Sequence, residues 1–268
     1  LKEWDGSHTR GLTIMTNLAN FVRDDFDGML VFGDVHGDYE SFERAYDFAQ
    51  RENFFFMSMG DLVDRGRRPF EVVETMYNAM YDGRAGFVIG NHDDKHVRAA
   101  KGNKVSFSKD AKQTLVDVGP ARMDKFHRKY TAVVEDTMLS ALFHKFDNIT
   151  LVHAASHSCI WENTPIKKSA KSRFIVGETT GETFDDGYPV RLYNWIDEVP
   201  AGKTVMVGHD RMPIHNIPIE EPMIVFNNNG GKVVFLDTGC GKGGFLSGAV
   251  MLSDKKGFRI DHFVKFRK

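Results

Sequence analysis

The chain has 268 residues, 41% of them hydrophobic and 27% charged, which excludes a disordered chain, a collagen-like fibre and a membrane bundle. Thirty-five basic against 37 acidic residues leave a formal net charge of −2, so no global basic field draws in nucleic acid. The only cysteines, Cys159 and Cys240, argue against a disulfide framework and suit a reducing cytoplasm, the expected location.

No stretch approaches the roughly 18 apolar residues of a membrane span, so no membrane partner is expected. The opening residues lack the basic, apolar and small-residue succession of a signal peptide. Because the first residue is Leu1, a trimmed N-terminus is expected. Met29 to Phe32 is a short apolar run that ends in Gly33-Asp34-Val35-His36-Gly37. Phe42, Ala45, Tyr46 and Ala49 follow at helical spacing. Phe54 to Met59 reads as a second buried strand, ending in Gly60-Asp61. Pro69 then opens a helix carrying Val73, Met76, Tyr77 and Met80 on one face. Phe87 to Ile89 is a third strand, ending in Gly90-Asn91-His92-Asp93.

Residues 106–146 read as helical, with Leu115, Phe126, Tyr130, Met138 and Leu142 as expected core contacts. The β pattern then returns. Ile149 to Val152 runs into His153, and Val205 to Val207 runs into Gly208-His209. Met223–Phe226 and Val233–Leu236 flank a turn-like Asn227 to Gly231, and strands at 248–252 and 258–265 close the chain. Strands alternating with helices, then a strand-rich second half, predict an α/β fold of two sheets packed face to face with helices outside.

Asp34, His36, Asp61, Asn91, His153 and His209 all follow apolar runs, where an open α/β sheet gathers its ligands. Oxygen and imidazole ligands without thiolate suit a hard or borderline divalent metal such as Mn, Fe, Zn or Mg. Six such groups are too many for one tetrahedral site and suit two ions about 3.5–4 Å apart, bridged by a carboxylate. Two divalent ions against Asp34, Asp61 and a bridging hydroxide leave a net positive site, which matches a phosphate ester dianion.

With G-D-V-H-G at 33–37, G-D-L-V-D-R-G at 60–66 and G-N-H-D at 90–93, the chain resembles the calcineurin-like metallophosphoesterase superfamily, in its phosphoprotein-phosphatase branch. The resemblance runs from about Leu30 to Gly248. It implies a two-sheet β-sandwich flanked by helices over 29–268, with a helical insert at about 106–146 and an N-terminal extension at 1–28. Asp34 and His36 would bind one metal, Asp61 would bridge, and Asn91, His153 and His209 would complete the second site. Manganese is the expected metal pair, with iron, zinc, nickel or magnesium as alternatives. His92 would protonate the leaving oxygen, Asp64 would hold its ring, and Arg65 would bind non-bridging phosphate oxygens. Hydrolysis would be a single in-line displacement by metal-activated hydroxide.

Gly177 to Glu182, Asp185 to Arg191, Gly208-His209 and Asp237 to Cys240 are similar to the phosphatase module of bacterial polynucleotide kinase–phosphatases. That resemblance implies a second phosphate clamp at Arg191, where a surface salt bridge is an equal reading. It also puts Asp237 beside the substrate, where a cap on the following turn serves slightly better. Departures stand beside it. His153-Ala154-Ala155 lacks the usual nearby glycine, and Asp210 stands where threonine is common after the histidine. No Gly-X-X-X-X-Gly-Lys-Ser/Thr kinase loop occurs.

The expected substrate is a phosphorylated nucleic-acid end, 3′-phosphate or 2′,3′-cyclic. A phosphoserine or phosphothreonine protein is the alternative. A dinucleoside polyphosphate comes third, since hydrolases of that kind often lack the aspartate found here as Asp64; a phosphate-binding scaffold comes last. Lys167, Lys168, Lys171 and Arg173 form a basic cluster in an expected loop, more often a solvated face than a nucleic-acid contact. Trp161, Tyr188 and Trp195 could stack bases, with core or rim packing the better reading of each. Gly239, Gly241, Gly243 and Gly244 would let backbone approach a ligand, or simply form a flexible turn.

Overall fold

The computed structural model describes residues 18–185, 187–211 and 219–268. Its first half alternates α1 (Leu18–Asp25), β1 (Gly28–Phe32), α2 (Tyr39–Arg51), β2 (Phe54–Ser58), α3 (Pro69–Tyr81), β3 (Ala85–Val88) and α4 (Asn91–Ala100). Helices α5 (Lys109–Val118) and α6 (Pro120–Glu135) follow. Then come β4 (Ser140–Ala141), β5 (Phe143–Phe146), β6 (Ile149–Val152), α7 (Cys159–Glu162) and α8 (Lys168–Val176). A small ribbon, β7 (Glu178–Thr183) and β8 (Pro189–Leu192), precedes β9 (Thr204–Val207), β10 (Met223–Phe226), β11 (Lys232–Phe235), β12 (Leu246–Asp254) and β13 (Gly257–Phe266).

One sheet runs β13-β12-β1-β2-β3-β4 and the other β10-β11-β9-β6-β5. Alternation along the second sheet shows how it is packed. Leu151, Met206 and Val234 join the core shared with the first sheet. Their neighbours Val152, Val205, Val207, Val233 and Phe235 face a second core with Phe174 and Trp195. Strand β1 is buried along its whole length, because the second sheet covers one face and helices cover the other.

β1, β2 and β3 are mutually parallel, as are β6, β9 and β11. Their C-terminal ends, three from each sheet, deliver the polar clusters to one edge.

Two boundaries differ from expectation. Residues 18–28 are part of the domain: Ala19 and Val22 are in the core, and Phe21 and Phe26 pack edge-on to Phe55 at centroid distances of 6.0 and 5.3 Å. The rest of the expected extension, 1–17, lies outside the described residues. The helical insert ends at Glu135, and Ser140–Ala141 and Phe143–Phe146 are strands. Asp136 accepts hydrogen bonds from the backbone N–H of Met138 and Leu139, which turns the chain so that β4 can pair with β3. Met138 is therefore exposed instead of core. Among the described residues no helix is long and apolar enough to cross a membrane.

Candidate metal centre

The six ligand candidates converge. Asp34 and His36 follow β1, Asp61 follows β2, Asn91 opens α4 after β3, His153 follows β6 and His209 follows β9. Donor atoms of Asp61, His153 and His209 lie within 4.8 Å of one another, as do those of His36, Asp61 and His92, so Asp61 belongs to both groups. Asp34 Oδ2 is 3.6 Å from His36 Nε2, and Asn91 Oδ1 is 3.3 Å from His153 Nε2.

Hydrogen bonds aim the rings. His36 Nδ1–H donates to the Val63 carbonyl at 3.0 Å, and His153 Nδ1–H donates to the Met59 carbonyl at 2.6 Å. Each therefore turns Nε2 into the cluster, with His153 Nε2 only 3.2 Å from His209 Nδ1. The backbone takes an uncommon form to do this. His36, Asp61, Asp64, Arg65 and His209 all have φ between +50° and +91°. Such left-handed conformations cost about 1–3 kcal/mol each, and their concentration here marks a site held by its surroundings. Gly90 and Gly208 allow the close approach: a Cβ at either would come within 2.4 Å of an Asp61 or Asp34 carboxylate oxygen.

Divalent metal suits this donor set on two observations. Asp34 Oδ2 and His209 Nε2 are buried polar atoms without a hydrogen-bond partner among the described residues. The electrostatics also call for positive charge. Burial, then the carboxylates of Asp237 and Asp61, push Asp34 well above the usual carboxylate range. Burial opposes charge on His153, yet Asp61 and Asp34 raise its ring to about 10. Burial, assisted by nearby cations, lowers His36 to about 3 and drives His209 down, which keeps both rings neutral as ligands.

Beside the ligands stands an acid pair. His92 Nδ1–H donates to Asp64 Oδ2 at 2.5 Å. Burial disfavours the imidazolium, but the charges of Asp61 and Asp64 outweigh it and raise the His92 pKa. Asp64 is buried too, and its hydrogen bonds from His92 and His96 carry its carboxyl well below the usual range. His96 Nε2 and the Thr114 hydroxyl both reach Asp64 Oδ1 at 2.8 Å.

Asp93, to which the sequence reading gave no role, is the other anchor. Its Oδ2 accepts from the N–H of Asp61 at 2.7 Å and of Gly90 at 2.9 Å; its Oδ1 accepts from Leu62 N–H at 3.1 Å and from the Tyr130 hydroxyl. Thr114 and Tyr130 come from α5 and α6, so the helical insert braces the two motifs from behind. The fourth letter of G-N-H-D was the only available signal for Asp93.

A cleft of about 310 Å³ opens on these groups, lined by His36, Asp61, Asn91, His92 and His209. Arg65, Arg191, Tyr188 and Lys242 also line it. Arg191 is thus both an ion-pair partner, 3.3 Å from Asp210, and a cleft residue. Asp237, expected beside the substrate, is not among the residues that line this cleft. It is buried, accepts from Gly239 N–H at 2.8 Å to cap the turn, and sits 3.5 Å from Lys242, which itself reaches the cleft.

Two of the glycines after Asp237 serve packing: a Cβ on Gly241 would lie 2.7 Å from His36 Cβ, and one on Gly244 would meet the Thr238 carbonyl. The basic cluster at 167–173 is largely helix α8, because Ala170 and Phe174 give it a buried face. Lys171 pairs with Asp94 and Arg173 with Glu198. Trp195 is core, and Trp161 packs against the second core.

Comparison with known proteins agrees with this architecture. The chain is 26% identical over 257 residues to the bis(5′-nucleosyl)-tetraphosphatase PrpE of Bacillus velezensis, covering 87% of this chain and 97% of that protein. To the protein of that name from Bacillus subtilis it is 25% identical, covering 81% and 88%. Among solved structures, a candidate diadenosine tetraphosphatase superposes with a TM-score of 0.55 at 22% identity, covering 90% of this chain and 95% of that one. A serine/threonine phosphatase from Saccharomyces cerevisiae gives 0.51 at 13% identity, covering 93% and 86%. The model of the calcineurin-like phosphoesterases matches residues 29–236, from the first strand to the edge of the Asp237 turn, and the chain belongs to that family of phosphoester hydrolases.

Proposed function

We propose that this enzyme uses two divalent ions, held by Asp34, His36, Asp61, Asn91, His153 and His209, to hydrolyse a phosphate borne on a nucleotide polyanion. When bound, such ions supply Lewis acidity to the phosphoryl oxygens and to the attacking water. The chain's own groups do the rest. Arg65 and Arg191 hold non-bridging oxygens at the rim, and their planar forks suit that geometry. His92, whose protonated form Asp61 and Asp64 favour, gives its proton to the departing oxygen.

The observation that carries the substrate class is a groove of about 990 Å³ that joins the cleft through Arg65 and Lys242. Arg65, Arg67, Arg68, Arg211, Lys242 and Arg267 line it, against Asp38, Glu40 and Glu220. Some of these cations rest on solvent-facing carboxylates, Arg68 on Glu40 at 3.3 Å and Arg267 on Glu220 at 3.5 Å. Such pairs are weak and phosphates can replace them. A phosphomonoester needs only the cleft; a cation-lined groove beyond it suits a substrate with further phosphates.

The names of the curated relatives make a dinucleoside tetraphosphate the first such substrate to test. A phosphorylated nucleic-acid end remains the second reading, since its backbone would use the same groove. The experiment compares hydrolysis of diadenosine tetraphosphate, a 3′-phosphorylated RNA oligonucleotide and a phosphothreonine peptide by manganese-loaded protein at equal concentrations. Preference for either nucleotide substrate is expected, and preference for the tetraphosphate selects the first reading. A large preference for the peptide overturns the nucleotide assignment.

A further inference from the structure

Among the described residues the ribbon β7–β8 pairs with neither large sheet, and most of β7 is exposed. A lone two-stranded ribbon is marginally stable in water, so side chains must dock it. Three of them meet on one carboxylate. Tyr188 Oη donates to Asp210 Oδ1 at 2.8 Å, Tyr193 Oη donates to Asp210 Oδ2 at 2.5 Å, and Arg191 Nε lies 3.3 Å from Oδ2. Asp210 is only 5% exposed and directly follows His209. Two of the three residues it gathers, Tyr188 and Arg191, line the metal cleft.

The arrangement answers an electrostatic problem. Arg191 sits in a site that gathers positive charge, and its own charge helps to depress His209. Its side chain is 11% exposed, so water does little to screen it. A guanidinium in that position needs a fixed counter-charge, and a threonine after the histidine could not supply one. Asp210 supplies it while tying the ribbon to the strand end that carries a ligand candidate. Arg191 Nη1 also donates to the Val176 carbonyl at 2.9 Å, so the guanidinium is held from two sides.

We infer that Asp210 is a positioning residue: it docks the β7–β8 ribbon over the cleft and orients Arg191 toward the phosphoryl group. The inference rests on the reading of this cleft as a phosphate site, but not on which nucleotide brings the phosphate. Losing Asp210 should weaken phosphate binding without removing metal, because Asp210 acts through Arg191 and the tyrosines.

The test measures inorganic phosphate affinity by calorimetry, KM and kcat on an aryl phosphate, and metal content, for manganese-loaded wild type, Asp210→Asn, Arg191→Ala and the double variant. Asp210→Asn is expected to weaken phosphate binding and raise KM by roughly ten- to hundredfold, with a smaller change in kcat and metal content as in wild type. The double variant should lose little beyond Arg191→Ala, since coupled residues are not additive. Fully additive losses would overturn the link between the two residues.

If Asp210→Asn fails to fold or loses metal, the pair Tyr188→Phe and Tyr193→Phe keeps both charges and removes both hydroxyl donors. A raised KM at full metal content is then expected, and an unchanged KM overturns the docking role. Wild-type protein that binds no phosphate would overturn the reading of the cleft itself.

Discussion

Replacing Asp93 by Asn separates the bracing of the site from its chemistry. The carboxylate accepts three backbone N–H groups and the Tyr130 hydroxyl, all in the buried interior. An amide keeps one oxygen. Its better orientation leaves that oxygen on the Asp61 and Gly90 N–H groups and turns the NH2 toward Leu62 N–H and Tyr130. The Tyr130 hydroxyl can rotate to accept, but Leu62 N–H is orphaned against another donor. An unsatisfied buried N–H costs about 1–3 kcal/mol, and the two remaining bonds lose their charge assistance. Burial and the charge of Asp61 both raise the Asp93 pKa, so the substitution also relieves some repulsion.

We therefore expect a loss of about 2–4 kcal/mol, from the orphaned donor and the weakened bonds together. In a domain of this size that lowers Tm by on the order of 10 °C. Thermal unfolding followed by circular dichroism, with metal analysis on the same sample, reads both effects; Asp61 should hold metal less firmly once its backbone is loosened. A Tm within a degree or so of wild type would refute the bracing argument.

Three further outcomes are expected. His92→Ala should slow alkyl phosphate hydrolysis by about 10²–10⁴-fold and activated aryl phosphates far less, because an aryloxide leaves without a proton; equal losses on both would sink the acid assignment. Asp61→Asn should cost bound metal as well as rate, and a variant that retains two ions by mass spectrometry would remove Asp61 from the bridge.

His144, on β5, is buried, and burial lowers its pKa while its Nε2–H donates to the Phe87 carbonyl. Below about pH 6.5 the unfolded chain takes up this proton and the folded chain does not, so stability falls with pH. His144→Gln should flatten the wild-type slope between pH 6.5 and 5 by up to about 1.4 kcal/mol per pH unit. Urea titrations at several pH values that give parallel slopes would show the ring titrating alike in both states.

The ligand candidates were legible because the chemistry is local. Each of Asp34, Asp61, Asn91, His153 and His209 follows an apolar run that becomes a strand, and parallel strands leave such residues at one edge. The boundaries at 28 and 146 were misread for the opposite reason. Phe21 and Phe26 show their purpose only when Phe55 lies against them, and β4 is two residues long and exists only by pairing with β3.

Sequence alone thus determined the fold class, the order of the strand ends and the donor set that gathers there, since apolar runs and the motifs behind them are contiguous. The tertiary structure decided what fixes those donors. Asp93 reaches Tyr130 across 37 positions, Asp64 reaches Thr114 across 50, and Asp210 reaches Tyr188 across 22. It also decided that Asp237 caps a turn while Arg191 enters the cleft. A buried carboxylate is specified by whichever N–H and O–H groups surround it, and those groups become its neighbours only when the chain has folded.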